Sequence, residues 1–359
     1  MSRNATKDLT TGSPMKLILG FGIPLLFGML FQQFYNMMDT IIVGKFLGVS
    51  ALASVGATGS INFMIIGFCM GVCNGFAIPV AQRFGAKDQT GLRKFVANSV
   101  WLSIVFAVIM TIVTCILCRQ IMTWMRTPAD IFEDANTYIF IIFIGIPATY
   151  LYNLVSGIIR SLGDSRSPLF FLIVSSVLNI GLDFLFILTF HMGVAGAAWA
   201  TVISQAVSGI GCLFYMKHKF EILKIRPEEW KMDTKYMKIL CGMGIPMGLQ
   251  YSITAIGSVI LQTAVNTLGS SAVAAITAGS KVSMFFCCPY DAMGSTMATY
   301  AGQNVGAGKL DRVKKGMLSC CLLGLIYAVL AFVFLFFFGR YTALLFMEAS
   351  EKAILGNVT

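Results

Sequence analysis

Four charged side chains stand inside long apolar stretches of this sequence: Asp39, Asp183, Lys281 and Asp291. A charge held in a membrane helix costs at least about 2.5–3.5 kcal/mol, so each needs a compensating role. Asp39 and Asp183 suggest the most definite chemistry. Two carboxylates that meet in a low dielectric cannot both stay ionised cheaply, and such a pair holds a proton or takes a hard cation such as Na+ in its place. Asn36 and Tyr35 lie one helical turn before Asp39, and Asn179 lies one turn before Asp183, which adds oxygen ligands on the same helix faces. Gln33, Tyr35, Asn153 and Gln250, with Lys281 and Asp291, are candidates for lining a substrate cavity. Hydrogen bonding between neighbouring helices is the competing explanation for such residues.

The elements that must carry these side chains are apolar blocks, each long enough to cross about 30 Å of hydrocarbon as a helix. Nine are visible: Met15 to Leu47, Ser50 to Ala81, Phe95 to Cys118, Ile131 to Ile159, Pro168 to Phe190, Gly193 to Met216, Met237 to Leu268, Ser271 to Ala301 and Val313 to Phe338. At about 1.5 Å per residue, Asp39 and Asp183 are placed about 10–12 Å below the outer ends of the first and fifth blocks. The same count in the fourth and sixth blocks reaches Tyr138 and Thr201. The spacing therefore predicts one cation-coupling cluster of Asp39, Asp183, Asn179, Tyr138, Thr201 and Asn36. Lys281 and Asp291 share the eighth block but lie nearly three turns apart. Pro24, Pro79, Pro147, Pro246 and Pro289 fall inside blocks and mark expected bends.

Of 359 residues, 57% are hydrophobic and 12% charged, about half the charge a soluble surface needs. The net charge of +10 does not indicate nucleic acid, because its placement reports topology. Twenty of the 26 Lys and Arg fall in the N-terminus and every second loop, which makes the N-terminus and the loop around Pro227 cytoplasmic, in a plasma or inner membrane. The opening residues Met1 to Gly12 lack a signal-peptide pattern. The ten Cys sit almost entirely in apolar blocks, where they pack as small hydrophobes, and the Cys115-Ile-Leu-Cys118 spacing alone carries no chemistry. No helical His pair, Ser-His set or phosphate loop supports an enzyme.

The chain also repeats itself at an offset of 221 to 222 positions. Gly22-Ile23-Pro24 matches Gly244-Ile245-Pro246, and Gln82 with Gly85-Ala86 matches Gln303 with Gly306-Ala307. A first unit with an even number of helices makes the copies parallel. The expected divisions are an N-terminus over 1–14, a six-helix lobe over 15–218, an inter-lobe loop over 219–236 and a partial second lobe, helices 7 to 9, over 237–359. A second unit of three helices predicts a C-terminally truncated form of a twelve-helix protein of about 440 residues. Positions matching Asp39 are Ile260 or Leu261, so the acidic cluster belongs to the first lobe alone.

Several runs carry a family resemblance. Phe21-Gly22-Ile23-Pro24 followed by Asn36-Met37-Met38-Asp39-Thr40 resembles the first helix of the multidrug and toxic compound extrusion (MATE) transporters. Asn179-Ile180-Gly181-Leu182-Asp183 with Gly193 to Thr201, and Gly302-Gln303-Asn304-Val305-Gly306-Ala307, are similar to later parts of that family. The resemblance implies an all-α membrane protein with two six-helix repeats, nine of the twelve helices present here. It also implies export of organic cations and drugs in exchange for H+ or Na+ by alternating access. The family's first-lobe cation site maps onto Asp39, Tyr138, Asn179, Asp183 and Thr201. Helix 7 carries no acid where many relatives have a glutamate, with Gln250 nearby instead. The implied partners are small cationic amphipathic molecules and the bilayer, with no cofactor beyond the coupling ion and no obligatory protein partner. A lipid-linked oligosaccharide or polysaccharide flippase is the alternative, but it needs a large, often basic cavity, and the mostly acidic intramembrane charge favours cations.

Overall fold

The computed structural model describes residues 6–266 and 270–343. The described residues form eleven α-helices: α1 (Pro14–Leu47), α2 (Val49–Ala57), α3 (Gly59–Gly85), α4 (Gln89–Trp124), α5 (Phe132–Ile144), α6 (Ile146–Ser161), α7 (Arg166–Phe184), α8 (Gly193–Lys219), α9 (Thr234–Asn266), α10 (Ser270–Gly306) and α11 (Leu310–Ala343). In hydrocarbon every backbone N–H and C=O must be satisfied within the segment, which leaves the helix as the available form for apolar blocks of this length. Among the described residues, seven helical segments are long and apolar enough to span a membrane, and α5 with α6 makes an eighth as a bent pair. Their outer faces stay apolar, as at Ile116, 70% exposed, and Phe336, 73% exposed. We refer to the side that carries the N-terminus and the Lys- and Arg-rich loops as the basic face, and to the other as the far face.

Three blocks expected as single helices are interrupted. The second block divides at Thr58, whose hydroxyl donates to the Val55 carbonyl (2.7 Å) and competes for the ladder between Gly56 and Gly59. The fourth bends by 45° at Gly145. Pro147 there removes a backbone donor, and Gly145 is packed so closely on α8 that a methyl group at its Cα would strike the Val202 side chain. The fifth passes into a π turn over Leu185–Thr189 directly after Asp183. Pro24, Pro79, Pro246 and Pro289, expected as bends, lie within unbroken helices.

The repeat is visible in how helices cross. Helix α1 packs on α10, where a methyl at Gly22 would press on Thr296 Oγ1 at 3.0 Å. At the equivalent positions α9 packs on α3, with a methyl at Gly75 meeting Gly244 Cα at 2.5 Å. Gly67, Gly71 and Gly75 at four-residue spacing let the α3 and α9 backbones approach, the small-residue packing that membrane helices use in place of a hydrophobic drive. The main core lies in the first bundle, around Val72, Phe76, Phe143, Ile146 and Ile158.

The two bundles meet in a seal at the basic face. A methyl at Gly85 would collide with the Gln303 carbonyl oxygen, and one at Gly306 with the Gln82 carbonyl oxygen, so equivalent loops touch backbone to backbone across the repeat axis. Residues of the N-terminal segment are clamped into this seam. Lys7 N donates to Leu162 O (2.9 Å), Leu9 N to Gln303 Oε1 (2.9 Å), and Lys309 Nζ to Thr10 O (3.0 Å). Leu9 itself is buried beside Ile18, Phe21 and Tyr300. The loop between bundles is also fixed: Glu229 accepts from Arg93 Nε (2.7 Å) and Arg226 N (2.9 Å), and Trp101 Nε1 donates to Trp230 O (3.0 Å).

Candidate functional site

Toward the far face of the first bundle, α1, α5, α7 and α8 bring Tyr35, Asp39, Tyr138, Asn179, Asp183 and Thr201 together. Asp183 and Asn179 are fully buried, and Asp39 nearly so. The two carboxylates lie within each other's electrostatic reach, and Tyr35 and Tyr138 lie within reach of both. Thr201 organises the neutral side of the cluster. Its Oγ1 donates to the Ala197 carbonyl (3.1 Å), which leaves it to accept from Asn179 Nδ2 (3.4 Å) and from the Tyr35 hydroxyl (3.3 Å). Two donors, Asn179 Nδ2 and the Tyr35 hydroxyl, are therefore drawn away from the acids.

What remains is a group of acceptors. Asp39 Oδ1, both oxygens of Asp183 and Asn179 Oδ1 are buried without a hydrogen-bond partner. Buried carboxylate oxygens are normally satisfied, and leaving one without a donor costs more than losing a hydrogen bond between neutral groups. A hard cation could draw on all four oxygens, and a proton shared by the acids would satisfy two of them. At the equivalent positions of the second repeat stand Ile260 and Leu261, both more than 60% exposed, which hold no such chemistry.

The cluster opens onto a cavity of about 410 Å³ between the bundles, bordered by Asp39, Asn36, Gln33, Tyr138, Thr201 and Asp291. Two further cavities, of about 160 and 380 Å³, continue toward the basic face. Tyr251 of α9 borders all three. Thr149, whose hydroxyl donates to Gln205 Oε1 (2.8 Å), lies between the far cavity and the next. The route is thus a channel of mixed polar and apolar lining along the inner walls of both bundles, closed at the basic face by the seal.

A family model described as MatE matches residues 24–185 and, a second time, residues 246–357. The chain belongs to the MATE family. The two matches begin 222 positions apart, the offset of the internal repeat. The chain is 30% identical over 352 residues to the probable multidrug resistance protein YpnP of Bacillus subtilis (strain 168), covering 98% of this chain and 78% of that protein. A crystal structure of MATE in complex with MaL6 superposes with a TM-score of 0.92 at 26% identity, over 100% of this chain and 80% of that one. An outward-facing conformation of a multidrug resistance MATE family transporter of the MOP superfamily superposes with a TM-score of 0.91 at 26% identity, over 98% of this chain and 78% of that one. The protein is a multi-pass membrane protein with the MATE transporter fold.

Set on this MATE fold, most of the expected site residues lie where spacing put them. Asn36 differs: its amide turns to Gln33 Oε1 (3.4 Å) on the cavity wall instead of joining the acids. One turn before Asp39, its side chain lies on the open side of α1, while Tyr35 lies on the packed side. Asn153 borders the 160 Å³ cavity, Gln250 and Asp291 the 380 Å³ cavity. Lys281 lies in α10, with its side chain outside the described residues. Spacing missed Asn74, Thr149, Arg160, Gln205 and Tyr251, all of them cavity-lining. A signal existed for two of these: Thr149, Asn153 and Arg160 form a polar stripe at helical spacing on α6. Arg160 was hidden by its place at the end of an apolar block, where a cation reads as a loop residue.

Proposed function

We propose that this chain is a secondary active multidrug exporter. It carries cationic amphipathic molecules across the plasma or inner membrane in exchange for H+ or Na+, with its N-terminus and basic face in the cytoplasm. The single observation that supports the coupling role best is the set of four buried, unpartnered acceptor oxygens on Asp39, Asn179 and Asp183. Acids to which no neighbouring donor is hydrogen-bonded exchange a proton or hard cation with little rearrangement, because no bond from such a donor has to break first. The cavity beside it supplies the substrate's place, and loading of the acids couples to it through Thr201 and Tyr35, which border that cavity. A seal closed at the basic face is the arrangement for ion entry and drug release on the far side in alternating access.

The test is ethidium efflux from cells expressing the chain, with and without an imposed Na+ gradient, beside Asp39→Asn and Asp183→Asn at matched membrane levels. Efflux that collapses in both variants is expected, and its Na+ dependence names the ion. Efflux at the unmutated rate in both would remove the coupling site. A parallel reading on purified protein, thermal stabilisation by Na+ or by acid that disappears in Asp39→Asn, follows ion loading without requiring a full transport cycle.

A further inference from the structure

The wall shared by the 160 and 380 Å³ cavities is made by Asn74 of α3, Arg160 of α6, Tyr251 of α9 and Ser295 of α10. Each of the four can donate a hydrogen bond, one is permanently cationic, and no carboxylate is among them. Arg160 lies one residue from the end of α6, where a long cationic side chain would ordinarily extend outward to water. Instead its guanidinium reaches inward and donates to Asn74 Oδ1 (3.1 Å), eleven residues up α3 from Gly85. None of the four ion pairs among the described residues includes it. The nearest carboxylate in sequence, Asp164, is occupied by Arg166 N, Ser167 N and the Ser167 hydroxyl. A guanidinium turned into a bundle with a single amide partner keeps most of its donors free.

We infer that Arg160, Asn74, Tyr251 and Ser295 form an oxyanion site at the basic end of the channel, which binds a carboxylate or phosphate on the transported molecule. The channel then has two poles: the acids at Asp39 and Asp183 toward the far face for a basic nitrogen, and Arg160 toward the basic face for an oxyanion, with Asp291 on the 380 Å³ cavity between them. The preferred substrates are amphiphiles that bear both groups, beyond simple organic cations. Two of the four residues come from each bundle: Arg160 and Asn74, bonded to each other in the first, stay together when the bundles separate at the basic face, and Tyr251 and Ser295 complete the site as the seal closes. This rests on the export reading and adds a substrate class to it.

The competing role for Arg160 is a brace between α6 and α3, and a matched pair of ligands separates the two. Ciprofloxacin, a fluorescent zwitterion with an aryl carboxylate and a basic amine, and its methyl ester, which keeps only the amine, are titrated against the purified full chain, with ethidium as a cation lacking any acid. Arg160→Gln is expected to weaken ciprofloxacin by about 10- to 100-fold, the range of a charge-assisted hydrogen bond removed from a buried site, and the ester and ethidium by less than about threefold. Ser295→Ala, which leaves the brace intact, is expected to weaken ciprofloxacin alone by about fivefold, and serves if Arg160→Gln does not fold. Competition by benzoate or by phenyl phosphate identifies which oxyanion is preferred. Equal weakening of all three ligands in Arg160→Gln would make it a brace and overturn the site. Binding of ethidium but not ciprofloxacin by the unmutated chain overturns the oxyanion site alone, and binding of neither overturns the export reading with it.

Discussion

At the basic face, Gln303 uses both ends of its buried amide, accepting from Leu9 N (2.9 Å) and donating to Ser161 O (2.8 Å), while Asn304 donates to Leu9 O (3.2 Å) and accepts from Arg312 Nε (3.0 Å). Toward the far face of the first bundle, Asp183 is as deeply buried as Gln303, and neither of its oxygens has a partner. Both regions join several helices, so a need to hold helices together does not explain the difference. Buried polar groups that only build structure are mostly satisfied, because each one left open costs about 1–3 kcal/mol; in the seal, among the described residues, Arg312 Nη2 is left open, but no carboxylate oxygen is. Groups that must take up and release something are left open for it. The seal is then the place where polar side chains act as architecture, and the acidic cluster the place where they act as a site.

This contrast breaks most directly at the acids. Asp39→Asn and Asp183→Asn are each expected to reduce exchange by at least about 100-fold, since the group that carries the proton or cation is gone. Thermal stability of the purified variants should stay the same or rise by about 1 kcal/mol, because a buried carboxylate with no partner is replaced by a neutral amide. A drop of several kcal/mol with ion dependence intact would turn the cluster into architecture. Membrane insertion, exchange rate and melting temperature measured on the same preparations separate the two cases.

The opposite expectation holds at the basic face, where loss of a partner lowers stability and leaves ion loading unchanged. Glu229, 6% exposed, is held by Arg93 and by Arg226 N, and Glu229→Ala leaves a largely buried guanidinium uncompensated, at a cost of about 3 kcal/mol. The hydrogen bonds from Arg93 hold the Glu229 carboxyl below the ordinary glutamate range, against the opposing effect of its own burial. A carboxyl whose pKa falls on folding contributes stability that is fully present above its unfolded pKa and is lost as the pH drops through the lower folded value. The melting difference between the unmutated chain and Glu229→Gln should therefore be flat from roughly pH 5 to 8 and shrink only in stronger acid. A difference that already shrinks near neutrality would show that the pair does not hold the loop. Gln303→Ala comes next, at about 2 kcal/mol, because it leaves Leu9 N and Ser161 O without partners. Faster labelling of a cysteine placed at Leu9 would report the loosened seal, and unchanged labelling would remove Gln303 from it.

How much of this was legible in the residue pattern follows from the range of each interaction. The apolar blocks, the repeat and the spacing of Asp39, Asp183, Tyr138 and Thr201 are periodic or countable along the chain, and the helices bring those four side chains together. The division at Thr58 and the 45° bend at Gly145 depend on local hydrogen-bond competition and on Val202 from α8, which block hydrophobicity does not register. The N-terminal segment reads as a polar tail, yet Leu9 is bonded to residues 294 and 295 positions away, a contact with no local trace. Arg160 has the residue type of a topology signal and the geometry of a cavity wall, and only its alignment with Thr149 and Asn153 along α6 distinguishes them.

The smallest expected effect draws the boundary of the acidic cluster. Asn36 is one turn from Asp39, which by spacing alone makes it a ligand, but it is exposed to the cavity, and its amide pairs with Gln33 (3.4 Å) while the acids stay unpartnered. If unsatisfied burial is what defines the ion site, Asn36→Ala should alter ion-dependent stabilisation by less than about twofold and ligand affinity by less than about threefold, since a solvated side-chain hydrogen bond is worth about 0.5–1 kcal/mol. Asn179→Ala, at a position fully buried with Oδ1 open, should lose most of the ion dependence. Equal effects of the two substitutions would mean that the cluster extends into the cavity and that burial is not its criterion. The Na+ titration of melting temperature in both variants decides between a sealed acidic pocket and an open polar wall.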